Sequence, residues 1–226
     1  MKVDYVKGSN IIGLEPRRMD NIFPAVNAVE AYWSALSAQS PEGAVPARSR
    51  IDPRGIESAL AQAFILERIA PGLARFRLAG AHLADLMGME VRGMPLTALF
   101  LPDDREFAGR MLERAFSGPA RVSLVLTGER GIGRAPLDAR MLLLPLRDEE
   151  GRVTRILGAL EAKGTIGRQP RRFAIVAQNH VPIEKVPPDS TDPRHSPGLA
   201  EAAARGYSYP LRPGRPALRL IRGRKE

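Results

Sequence analysis

The chain has 226 residues, 44% of them hydrophobic, with a formal charge of +9 and no cysteine. That length gives one or two domains with a real core, and the missing cysteines exclude disulfides, thiol chemistry and thiolate-bound zinc. No apolar run reaches the ~18 residues of a membrane helix, and the first residues lack the apolar stretch of a secretory signal, so a cytoplasmic location is expected.

The charge is unevenly placed. Residues 168–226 carry 12 Lys+Arg against 5 Asp+Glu, whereas residues 1–167 carry 22 against 20. The body is therefore nearly neutral, and the high isoelectric point belongs mostly to a basic tail.

In chain order, Val29, Tyr32, Trp33 and Leu36 recur at helical spacing. They predict an amphipathic helix that ends before the breaker cluster Ser40-Pro41-Glu42-Gly43. This stripe either packs on its own domain or forms an interaction helix against a second copy. Asp52 followed by Pro53 reads as an N-cap and first helical position, with Ile56, Leu60, Ala63 and Phe64 as an apolar face. Two short apolar runs then flank the turn Pro71-Gly72. In the second, Arg75 and Arg77 alternate with Phe76 and Leu78, the pattern of a strand with its arginines facing solvent.

Residues 80–100 read as two short helical pieces separated by turns at Gly88 and Gly93. Residues 103–116 form a better helix, with Phe107, Met111, Leu112, Ala115 and Phe116 on one face and acids at its start. Three strands follow, over residues 121–127, 139–146 and 153–160, joined by a glycine-rich connection and a polar turn at 147–152. Beyond Gly167 prolines punctuate a basic stretch without periodicity. It reads as largely disordered, with a short helix near residues 199–204.

This order predicts an α+β fold: one five-stranded antiparallel sheet with a helical insert after the second strand, an N-terminal helical extension and a disordered basic tail. The expected divisions are residues 1–47, 48–167 and 168–226.

The segment Leu86-Met87-Gly88, then Glu90, Arg92 and Gly93, then Pro102-Asp103-Asp104-Arg105 resembles the centre of a PAS domain, and the strand order is the PAS order. With Arg48-Ser49-Arg50-Ile51-Asp52-Pro53 upstream and Arg171-Arg172-Phe173 downstream, the chain resembles a family of small alphaproteobacterial PAS-type proteins of unassigned function. The resemblance implies a sensory or regulatory module. It implies no identifiable cofactor, because a flavin photoadduct or linked chromophore would need a cysteine. A haem ligand would be a histidine on the helix over residues 103–116, which has none. His82 reads as a cap or surface residue.

A small ligand in such a fold would lie between the sheet and the helices, against Phe76, Leu86, Met87, Leu99, Phe100, Met111, Leu124, Leu126 and Leu142; the same side chains also suffice as plain core. No catalytic or metal-binding constellation is read. Asp103-Asp104 suits a helix start, and the glycines of residues 128–133 lack the context of a phosphate loop. The expected function is a non-enzymatic regulatory module that acts as a homodimer or docks on a signalling protein. The alternative is nucleic-acid or anionic-membrane binding by the basic tail through Arg212, Arg215, Arg219, Arg222, Arg224 and Lys225, between which Leu218, Leu220 and Ile221 lie.

Overall fold

A computed structural model describes residues 22–40, 45–131 and 134–183. Its frame is one sheet of six antiparallel strands: β1 (Ala63–Ala70), β2 (Leu73–Ala79), β3 (Ala120–Gly128), β4 (Leu137–Arg147), β5 (Val153–Gly164) and β6 (Phe173–Pro182). Their order across the sheet is β2-β1-β5-β4-β3-β6. The five strands expected from the sequence are all present.

The sixth strand is a correction. The stretch expected to be disordered tail continues as β6, paired with β3 from Ala120↔Pro182 to Gly128↔Phe173. Its burial along the chain does not alternate. The period-2 signal that marks β3, where every second residue is buried, is therefore missing from the sequence of β6.

Helices cover both faces of the sheet. On the inner face lie α2 (Ala81–Met87) and α3 (Arg105–Ser117), with 3-10 turns at Leu96–Leu99 and Pro102–Asp104. Gly88 ends α2 with a φ of 71°, a left-handed geometry that costs glycine little. On α3, Met111, Leu112, Ala115 and Phe116 are buried as their spacing predicts. This face holds the larger core, in which Phe64 and Phe76 meet edge to face with centroids 5.3 Å apart.

On the outer face lies α1 (Pro24–Ala38), over a second core of Ile65, Leu142, Leu144, Leu146 and Leu157. Phe23 offers α1 no side-chain cap. The Glu161 carboxylate on β5 takes that role, accepting the N–H of Ala25 at 2.9 Å and of Val26 at 3.4 Å. A negative charge there complements the helix dipole. Asp52 caps the next segment as expected, accepting the N–H of Arg54. That segment, Pro53–Ala59, is a kinked 3-10 run rather than an α-helix.

Tyr32 ties the two pieces together. Its hydroxyl accepts the N–H of Asp52 at 2.8 Å. Its ring lies against Gly55, where a Cβ would come within 2.3 Å of it; only glycine fits beneath this ring.

Candidate functional site

Eight of the nine residues expected to line a ligand pocket belong to one buried cluster between the sheet and the inner helices. Phe76, Leu86, Met87, Leu99, Phe100, Met111, Leu124 and Leu126 belong to one cluster, none more than 4% exposed. Leu142 does not join them. Strand β4 sends Leu137, Ala139, Met141 and Leu143 to the inner core, so Leu142 points to the outer one beside α1. The continuous apolar run of β4 concealed which residues face which way.

The C-terminal end of this interior is closed by the segment entering β6. Phe173 is fully buried, and its carbonyl accepts the N–H of Leu101. Arg171 is fully buried too, donating to the carbonyls of Ile166 (2.6 Å) and Ala135 (2.9 Å). Its Nε–H has no acceptor. Burial, then the nearby Arg134, lowers the Arg171 pKa. The backbone N–H of Arg171 binds the carbonyl of Leu86, and the Gln169 side chain donates to that of Asp85. The linker thus clamps the end of α2.

The stripe predicted as an interaction helix is occupied by the chain's own sheet. Val29 and Trp33 are buried in the outer core, and the indole N–H of Trp33 donates to the Pro145 carbonyl at 2.9 Å. Tyr32 and Leu36 are half-buried beside them. The outer face of β1, β4 and β5 is apolar and requires this cover, so Val29 and Trp33 are not free for a second copy.

His82 is neither surface residue nor cap. Its Nε2 accepts the N–H of Ala162 on β5 at 3.1 Å, which requires a neutral ring protonated on Nδ1. Burial lowers its pKa below the ordinary histidine value, against the pull of Asp85 and Glu161.

Two adjoining clefts open on the outer face at the β1–β2 end. One is apolar, about 190 Å³, between the Pro53–Ala59 run and Ile65, Leu78 and Leu157. The other is polar, about 470 Å³, between Arg48, Arg147 and Arg155 and the turn at 148–152. The apolar cleft was not expected from the sequence, because Leu78 was expected to be buried beside Phe76. A register shift between Ile65 and Leu66 breaks the alternation of β2, and Leu78 is 53% exposed.

Among the described residues no group of three or more His, Asp or Glu side chains could hold a metal ion, and no helix is long and apolar enough to cross a membrane. The tail arginines Arg212, Arg215, Arg219, Arg222 and Arg224, with Lys225 and the short helix expected near 199–204, lie outside the described residues.

A strand order of 2-1-5-4-3 with helices inserted between the second and third strands is the order of a PAS fold, here extended by a sixth strand. Residues 22–161 match the family model described as PAS domain, and the chain belongs to that family. No curated protein matches it.

Solved structures that the chain matches include the blue-light photoreceptor Aureochrome1 LOV in its light state. That match has 17% identity, covers 49% of this chain and 88% of that one, and has a TM-score of 0.37. A Light-Oxygen-Voltage domain studied with a flavin analogue matches at 23% identity, covering 49% and 83%, with a TM-score of 0.38. An RNA-binding Light-Oxygen-Voltage receptor matches at 16% identity and a TM-score of 0.37, covering 60% of this chain and 47% of that one.

Proposed function

We propose that this PAS-domain protein is a non-enzymatic regulatory module that works by protein–protein contact, and that its partner surface is the outer edge of β6. The observation that carries this reading is the character of that edge. Among the described residues β6 pairs only with β3, leaving its other side open. Its ten residues, Phe173–Pro182, contain no Lys, Arg, Asp or Glu. Val176 is 62% exposed and Val181 is 41% exposed. Sheet proteins ordinarily protect such an edge with charge, bulges or cover; β6 has no charge and a single bulge, at Val176 between Ile175 and Ala177. A long uncharged edge favours antiparallel pairing with the same edge of a second copy, an isologous contact.

Sedimentation velocity of the full chain tests this. A dimer is expected for the wild type, and a monomer with an unchanged circular dichroism spectrum for V176K/V181K, which places charge on the edge. A wild type that stays monomeric at high micromolar concentration overturns the reading.

A further inference from the structure

We infer that the two adjoining outer-face clefts form one binding site for a small anionic amphiphile, a carboxylate or phosphate head on a short apolar chain. The site opens beside the outer core, with Phe64 and Arg68 also in its lining, and is separate from the β6 edge.

The two clefts share Arg48. Arg48 is half-buried, and its side chain makes no hydrogen bond or ion pair with any described residue. Other arginines nearby are engaged. Arg50 binds the Gln39 carbonyl at the end of α1, Arg68 pairs with Glu113 at 2.6 Å, and the Arg147 Nε–H donates to the Val45 carbonyl. The Arg48 guanidinium therefore stands at the junction of an apolar slot and a polar one with its donors unspent. A guanidinium in that position suits the planar or tetrahedral oxygens of a carboxylate or phosphate.

The surroundings favour an anion on the Arg48 side. Glu67 is the one carboxylate among Arg75, Arg77 and Arg155, which reach it at 2.8, 3.6 and 2.8 Å. That group retains a positive excess and borders the polar cleft through Arg155. Of the three acids on the far wall, Asp148 and Glu150 are committed to neighbours, while Glu149 lines the same cleft and offsets part of its positive charge. Asp148 accepts the N–H groups of Glu150 and Arg152 and the hydroxyl of Thr154, and Glu150 pairs with Arg152.

The apolar slot supplies the other half of the specificity. Leu60 and Leu78 are 41% and 53% exposed on its rim, above Ile65 and Leu157. Covering them with an alkyl chain removes apolar area from water. At about 190 Å³ the slot is smaller than the ~300–1,000 Å³ of pockets that enclose drug-sized ligands, so a short chain fits it.

Titration calorimetry of the full chain with octanoate, 1-octanol and acetate tests the site. Octanoate should bind about tenfold more tightly than either control, since each control lacks one half of the recognition. R48Q should weaken octanoate binding about tenfold and bring it level with octanol. L78S, a change at an exposed position that leaves the core intact, should weaken octanoate and octanol alike. Equal binding of octanoate and octanol to the wild type overturns the proposal, as does octanoate binding that survives both substitutions, which would place the ligand in the inner core. Flotation with phosphatidylglycerol vesicles separates the two sources of such a head group. Binding to vesicles without binding to octanoate also overturns it.

Discussion

Two side chains at the end of β5 fasten the helices to the sheet, and each makes a measurable prediction. The Glu161 carboxylate is 4% exposed, caps α1 through two backbone N–H groups, and takes Lys163 at 2.7 Å on its other oxygen. Glu161→Ala leaves those donors unsatisfied at a buried helix end, at a cost of about 1–2 kcal/mol. Its urea midpoint should fall at unchanged slope, while E161Q keeps part of the difference. His82 predicts a pH dependence. Its folded pKa is depressed, so the fold favours the neutral ring. The stability it contributes is complete above the unfolded value of ~6.5 and is lost as pH falls from there through the folded pKa. Urea midpoints measured between about pH 5 and 8 should show this loss in the wild type and not in H82Q, whose amide has no such titration. A wild type and variant with parallel pH profiles would remove His82 from the account. Neither role was legible in the sequence. Glu161 and His82 act across 136 and 80 residues of chain, and no local pattern marks a tertiary cap.

At the scale of elements, α3 and β3 were legible in detail because each has a buried face with its own period, and the other strands β1, β2, β4 and β5 as apolar runs between turns. Val122, Leu124 and Leu126 alternate, and Met111, Leu112 and Ala115 share a helical stripe. β6 was not, because it lies between Pro170 and Pro182 and buries only its first residue fully. Its contribution is concentrated in Phe173, which bridges to Phe100 and fills the inner core. Phe173→Ala should therefore cost about 3–5 kcal/mol, the range for a buried aromatic truncated to alanine. Chemical denaturation of the full chain measures it. A loss below about 1 kcal/mol would mean that β6 is dispensable to the core. The stripe on α1 was legible as a helix but not as to its partner. Val29 and Trp33 would look the same on a dimer interface, and only the apolar outer face of β4 and β5 decides between the two.

For the whole molecule, the sequence pattern gives the family and the fold class, while the surfaces come from irregularities that pattern reasoning smooths over. The clefts depend on one register shift in β1–β2 and on the kinked Pro53–Ala59 run. The open edge depends on a strand without alternation. The two proposed surfaces occupy different parts of the molecule: the one proposed for self-association is on β6, and the one proposed for an anionic amphiphile is at the β1–β2 end beyond α1. V176K/V181K should abolish the dimer and leave octanoate binding as it is, whereas R48Q should do the reverse.

The end of β5 also sets how the two helical layers move. Glu161 holds α1 on the outer face, and the very next peptide group, the N–H of Ala162, is held by His82 of α2 on the inner face. Two layers on opposite sides of a sheet are thus riveted at neighbouring residues of one strand. A tilt of either helix must load the same peptide unit, so the two layers are coupled at this point.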